Sequence, residues 1–90
     1  MTIDFSRIEI FTDVAHTSCN VCDVRTQFAD VIYNMGNGIA SHALALKIYQ
    51  SSGPTHFEQK ELLLIEEYSK LCSPAFIDAM ERLMKQHNIK

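Results

Sequence analysis

A histidine and two cysteines follow one another at three-residue spacing, at His16, Cys19 and Cys22. Thiolate sulfur and imidazole nitrogen are ligands that zinc prefers, and two cysteines separated by two residues can share one ion. A fourth ligand would come from elsewhere in the chain, where the candidates are Cys72, His42 and His56. The alternative interpretation is a pair of free cysteines in and beside a short strand, with a histidine in a solvated loop.

The same cysteine pair also resembles the spacing of a redox-active dithiol. Such a motif normally lies at a helix N-terminus, where the helix dipole lowers the pKa of the thiol. Here the next helix begins only after Cys22, and a strand would point Cys19 and Cys22 to opposite faces. The total of three cysteines rules out a complete set of disulfides within one chain. These features favour a reducing, cytoplasmic setting, with a redox-sensitive module as an alternative.

Carboxylates are the other residues that could do chemistry, and six of the eleven fall on the last two predicted helices. They are Glu58, Glu61, Glu66, Glu67, Asp78 and Glu81. Acid–base catalysis requires a cleft that shifts their pKa values, and the pattern favours a solvated helix face instead. We find no complete catalytic set and no cofactor motif, so we expect a protein that is not an enzyme.

A β-hairpin is predicted at the start of the chain. Apolar and polar residues alternate from Ile3 to Phe11, as in a half-buried strand, with a shift of phase near Ser6 that indicates a bulge or a late start. A polar loop follows, and Cys19–Val24 is a candidate second strand.

Two helices are predicted in the middle of the chain. The first spans Asp23–Met35, with Asp23 as its N-cap, and Gly36 and Gly38 can adopt the positive φ that suits a helix end. The second spans Ile39–Gln50 and is apolar on nearly every side. A helix of that kind usually lies at the centre of a core, so we expect it to be packed by the other helices.

Two further helices with a tight corner between them complete the prediction. Thr55 opens the first, with Glu58 as its capping-box partner, and that helix runs to about Leu71. Ser73 and Pro74 begin the second. Its apolar stripe is Phe76, Ile77, Met80, Leu83 and Met84, and its predicted wet side is Asp78, Glu81, Arg82 and Lys85. Residues 86–90 are predicted to fray.

The predicted fold is therefore α+β, with a short N-terminal β-hairpin followed by four α-helices packed as a small bundle. Ninety residues correspond to a single domain, in which 3–24 form the hairpin segment and 24–87 the helical segment. The net charge of -3 and the scattered basic residues make a nucleic-acid partner unlikely. The last two helices still allow a DNA-binding regulator as a second alternative. No apolar run is long enough to span a membrane.

The element order and two short motifs resemble small uncharacterised proteins carried by phages and other mobile elements of bacteria. The motifs are Val31-Ile32-Tyr33-Asn34 at the end of the first helix and Leu44-Ala45-Leu46-Lys47-Ile48-Tyr49 in the second. The resemblance covers about residues 3 to 85 and implies a short β segment followed by helices, with an accessory role and no transferable site residues.

We therefore expect a non-enzymatic protein–protein interaction or accessory module, forming a homodimer or another homo-oligomer. Apolar positions exceed what one thin core can hide, and a two-stranded hairpin leaves edges that another subunit could pair.

Overall fold

The computed structural model describes residues 1–88, with side chains up to residue 85. Within this part the chain forms two antiparallel two-stranded sheets and four helices. The predicted α+β class, with a short N-terminal hairpin and four helices, is confirmed.

The hairpin consists of β2 (Ile8–Phe11) and β3 (Cys19–Cys22). A shorter strand, β1 (Thr2–Ile3), precedes the hairpin. Ile8 pairs with Cys22 and Phe11 with Cys19, so the predicted second strand forms. Ile8 is buried, while the outer strand β3 is mostly exposed.

The phase shift near Ser6 corresponds to a turn that divides the predicted strand into two. The Arg7 amide donates to the carbonyl of Asp4 at 3.1 Å, and the Ser6 amide donates to the Asp4 carboxylate at 3.0 Å. The turn buries Phe5 completely. As a consequence β1 leaves the hairpin and pairs with a distant strand.

The first helix, α1 (Arg25–Met35), begins two residues later than predicted. Val24 occupies the N-cap position, and its side chain is buried in the core. The exposed Asp23 precedes it. The Asp23 carboxylate instead accepts hydrogen bonds from the Arg25 amide at 3.1 Å and from its guanidinium at 2.7 Å. These bonds lower the pKa of Asp23. Asp23 therefore still stabilises the helix start, but from the position before the N-cap and not from the N-cap itself.

The second helix, α2 (Gly38–Gln50), forms as predicted but is not central. One face is buried through Ser41, Leu44, Ala45 and Ile48. The opposite face is exposed, and Ile39 is 87% accessible there. Of the two glycines at the corner between α1 and α2, only Gly38 has a positive φ, of 82°. The prediction of a helix surrounded by the others is wrong, because α1 and α3 cover only one side.

The capping box of the third helix lies three residues later than predicted. Thr55 and His56 form β4, which pairs with β1, and the Phe57 amide donates to the Met1 carbonyl at 2.8 Å. The helix α3 (Gln59–Ser69) therefore starts after Glu58, whose amide donates to the Glu61 carboxylate at 2.8 Å. It also ends two residues before the predicted Leu71.

The last helix, α4 (Pro74–Asn88), begins where Ser73 and Pro74 predict. The Ser73 hydroxyl accepts from the Phe76 amide at 3.4 Å, which is a long capping bond. Of the residues predicted to fray, 89 and 90 lie outside the described part.

The core is one cluster to which both sheets and all these helices contribute. Phe5 lies at its centre, with its ring 5.6 Å from that of Phe28 and 5.5 Å from that of Phe57. Phe28 in turn contacts Phe76 at 5.0 Å. The other buried apolar members are Ile3, Ile8, Val24, Ala29, Ile32, Leu44, Ala45, Ile48, Ile65, Ala79 and Met80. No helix among residues 1–88 has the length and apolar character needed to cross a membrane.

Candidate functional site

His16 is held against α4 instead of being turned toward the cysteines. Its Nε2 atom lies 3.1 Å from the Asp78 carboxylate, and its ring stacks on Phe11 at 4.1 Å between centroids. The backbone of His16 has φ of 60°, a left-handed conformation that is uncommon for residues other than glycine. The hairpin loop thus positions the imidazole over Phe11 and beside Asp78.

The cysteines lie apart from this contact. Cys19 is exposed and Cys22 half-buried, at the two ends of β3, and both thiols are free. Cys72 lies in the turn between α3 and α4 and is half-buried, and this burial raises the pKa of its thiol. Among the side chains of residues 1–85, no three His, Cys, Asp or Glu groups stand close enough together to hold a metal ion. The structure therefore does not bring His16, Cys19 and Cys22 together.

The predicted wet side of α4 is only partly correct, because Asp78 and Arg82 face the hairpin. The Arg82 guanidinium donates to the Glu9 carbonyl at 3.0 Å and lies 4.4 Å from the centre of the Phe11 ring. Its Nε atom is 3.6 Å from the Asp78 carboxylate, too far for a hydrogen bond. Arg82 is thus already engaged within the fold, which leaves Glu81 and Lys85 exposed on this helix.

A surface depression of about 310 Å³ lies beside the pair of His16 and Asp78. Asp13 is a third ionisable residue in its wall, and most of the remaining lining is apolar. An imidazole next to a carboxylate can take up a proton, but catalysis also needs a substrate held within hydrogen-bond reach. The depression is open to solvent and its ionisable groups already have partners, His16 with Asp78 and Asp13 with Thr17, so it provides little to hold a substrate.

The buried face of α2 is fixed to α3 by two polar contacts. The Ser41 hydroxyl lies 2.7 Å from the Tyr68 hydroxyl, and the Lys47 ammonium lies 2.9 Å from the Glu61 carboxylate. Burial raises the pKa of Glu61, but hydrogen bonds from the Glu58 amide and from Lys47 outweigh it and hold the pKa below its ordinary value. These contacts fix which side of α2 faces inward.

The outward side of α2 is apolar as well, and we call it the α2 face. Its members fall at three- and four-residue spacing and are Ile39, His42, Ala43, Leu46 and Tyr49. All five are exposed, and none is an aspartate, glutamate, lysine or arginine. Tyr33 of α1 extends this surface, since its ring lies 6.0 Å from that of His42. The α2 face is the most continuous exposed apolar surface along one helix of the described chain.

Sequence reasoning identified the apolar character of α2 but missed this site. A helix with two apolar faces has the same composition whether it is enclosed or half exposed. The signal that distinguishes them is long-range: Ser41 and Lys47 each find a partner on α3, and both lie away from the α2 face.

Comparisons of the chain with protein-family models, with curated proteins and with solved structures found no match.

Proposed function

We propose that this protein is a non-enzymatic interaction module that associates with a second copy of itself through the α2 face. The observation that carries the proposal is the exposure of large apolar side chains in one row on a helix whose other side is already packed. Soluble proteins rarely leave contiguous apolar patches uncovered unless the patch has a partner.

The area of the surface suits a small dimer interface. Ile39, Leu46 and Tyr49 of the α2 face, together with Tyr33 of α1, are each between 43% and 87% exposed. At roughly 200 Å² for a fully exposed large side chain, these four present about 500 Å², and the exposed His42 and Ala43 add to that area. Specific interfaces at the lower end of the stable range bury about 600 Å² on each partner.

Charge also favours a second copy as the occupant. The chain is acidic overall, so two copies repel weakly wherever charged surfaces meet. The α2 face has no aspartate, glutamate, lysine or arginine, and Lys47 of the same helix is paired with Glu61 of α3. A two-fold interface brings the same patch of each copy together, which a patch without these four residue types allows without contacts between like-charged side chains of those types.

Sedimentation equilibrium of the wild type and of Leu46→Lys tests the proposal. We expect the wild type to form a dimer and Leu46→Lys to weaken it by at least ~100-fold, because an unpaired ammonium would be buried in the interface. Lysine and leucine have similar helix propensities, so the monomer should remain folded. Circular dichroism checks the fold.

Leu63→Lys is the matched control, because Leu63 is a leucine of similar exposure on the outer side of α3. We expect this variant to dimerise like the wild type. A monomeric wild type, or a dimer that Leu63→Lys disrupts and Leu46→Lys leaves intact, would refute the proposal.

An accessory role in a phage or other mobile element remains a proposal that rests on the resemblance described above. The zinc or redox alternative at His16, Cys19 and Cys22 also stays a prediction. Metal analysis of the purified protein, with Cys19→Ser for comparison, tests the zinc form of it: stoichiometric zinc that the substitution removes would favour this alternative.

A further inference from the structure

A small residue and a large residue lie at equal distances on either side of the middle of the α2 face. Its centre line carries Ile39, Ala43 and Leu46, and Gln50 follows in the same row one turn later; all four are exposed. The midpoint of this row falls between Ala43 and Leu46, which is also close to the midpoint of α2 (Gly38–Gln50). Reversing the direction of the helix therefore places a small residue opposite a large one at the centre.

We propose that two copies associate with their α2 helices antiparallel, about a two-fold axis between Ala43 and Leu46. Each Ala43 then receives Leu46 of the second copy, and Ile39 lies opposite Gln50 of the second copy. This inference rests on the proposed function and adds the orientation and register of the interface.

The packing of side chains favours this orientation over a parallel one. In a parallel pair, Leu46 would lie opposite Leu46 of the second copy, and Ala43 opposite Ala43. The two leucines would hold the helices apart, and a void would remain between the two alanines. Voids forfeit contacts between apolar atoms and are costly in a packed interface. Antiparallel helices also place opposite ends of their dipoles side by side, which is favourable.

The surroundings of α2 fit the same arrangement. α1 packs along α2 and is joined to it by only Gly36 and Asn37, so the two helices form one unit. Two such units, related by the axis, make a four-helix bundle with the α2 helices in contact. Tyr33 lies beside the first half of α2, and it would then flank Tyr49 of the second copy, which covers both exposed rings.

Mixed cysteine cross-linking tests the orientation. The background carries Cys19→Ser, Cys22→Ser and Cys72→Ala, and one chain then receives Ile39→Cys while another receives Gln50→Cys. Each chain alone and the two mixed are exposed to a mild thiol oxidant, and cross-linked dimers are measured on non-reducing gels. Residues 39 and 50 lie about 16 Å apart along a helix, well beyond the span of ~7 Å between Cα atoms that a disulfide allows.

We expect the mixture to give at least ~10-fold more cross-linked dimer than either chain alone. Lys60→Cys on α3 mixed with Ile39→Cys is the control for random oxidation, and it should give no more than the single chains. Cross-linking of Ile39→Cys with itself would show a parallel pair and overturn the inference.

Sedimentation of the same chains separates the two proposals. A dimer without cross-links in any combination would overturn the antiparallel arrangement while self-association stands. Monomers throughout, including the wild type, would refute the proposed function as well.

Discussion

The carboxylate of Glu61 connects α2 to the start of α3. It accepts hydrogen bonds from the Lys47 ammonium of α2 at 2.9 Å and from the Glu58 amide that starts α3 at 2.8 Å. Lys47 in turn lies 4.8 Å above the ring of the buried Phe57. The side chain of Glu61 is only 21% exposed, so its charge is partly shielded from solvent. The orientation of α2 therefore depends on an ionised carboxylate.

Replacing Glu61 by glutamine should reduce the free energy of unfolding at pH 7 by about 1 kcal/mol, because the ion pair is lost. The pKa of Glu61 is lower in the folded chain than its ordinary value near 4.5. Its stabilising contribution is therefore complete above pH 4.5 and is lost as the pH falls through the folded pKa. Urea unfolding at pH 7 and pH 3 measures the effect.

The difference between wild type and Glu61→Gln should consequently be smaller at pH 3 than at pH 7. Glu67→Gln, at an exposed carboxylate of the same helix, should change stability little at either pH. A difference for Glu61→Gln that stays constant between the two conditions would contradict this role.

At the scale of single residues, the sequence identified the ionisable groups but not their partners. The spacing of His16, Cys19 and Cys22 is local information, whereas the contact of His16 with Asp78 joins residues far apart in the chain. Ser73 was correctly predicted to begin a helix, because the group that its hydroxyl contacts, the Phe76 amide, lies only three residues away. Local partners can be predicted from sequence, and distant ones require the fold.

Among the elements, α1 and α2 meet at a tightly packed corner around Gly36. A Cβ atom on Gly36 would lie 2.6 Å from the Ile32 carbonyl oxygen and 2.9 Å from the Tyr68 hydroxyl. Glycine is needed there for close approach, since its φ of -82° is one that any residue can adopt. The corner lets Ser41 reach Tyr68 and so determines the direction of α2.

Gly36→Ala should lower the free energy of unfolding by about 1–3 kcal/mol, because the backbone oxygen of Ile32 has to move. Gly53→Ala is a suitable control, since nothing lies within 4 Å of an added Cβ there. That substitution should leave stability unchanged or raise it slightly. Chemical denaturation of both variants measures the contrast, and equal effects would contradict the proposed close packing.

The boundaries of α3 show why element positions were less predictable than element types. Thr55 and Glu58 match the usual pattern of a capping box, whereas a box from Glu58 to Glu61 places a glutamate at the N-cap, which that pattern does not favour. The pairing of β4 with β1 draws Thr55 into a strand, so the helix starts at Glu58 instead. The same limit applies to α2, where local pattern gave the helix but not the side that faces α3.

For the whole molecule, self-association should make thermal stability depend on concentration. Folded monomers that bind one another are removed from the unfolding equilibrium by mass action. Raising the protein concentration 100-fold should therefore increase the Tm of the wild type by about 5 °C. The Tm of Leu46→Lys should not change over the same range, as measured by circular dichroism. A wild-type Tm that is independent of concentration would argue against the dimer.

The overall class and order of elements were predictable because hydrophobic periodicity and turn residues are distributed along the whole chain. The sheet formed by β1 and β4 was not predicted. Its strands are two residues each, too short to show an alternating pattern, and they are separated by most of the chain. Contacts of this kind are selected by the packing of Phe5 and Phe57, which only the assembled core specifies.

The tip of the hairpin has a practical consequence. Val14 is fully exposed there, whereas Ile3, Phe5 and Ile8 on its amino-terminal side are buried in the core. β1 and β2 are also paired with strands on the other side of the tip. A protease that severed the backbone at Val14 would therefore produce two fragments that remain bound, and peptides synthesised separately on each side of that position should reconstitute the fold by complementation.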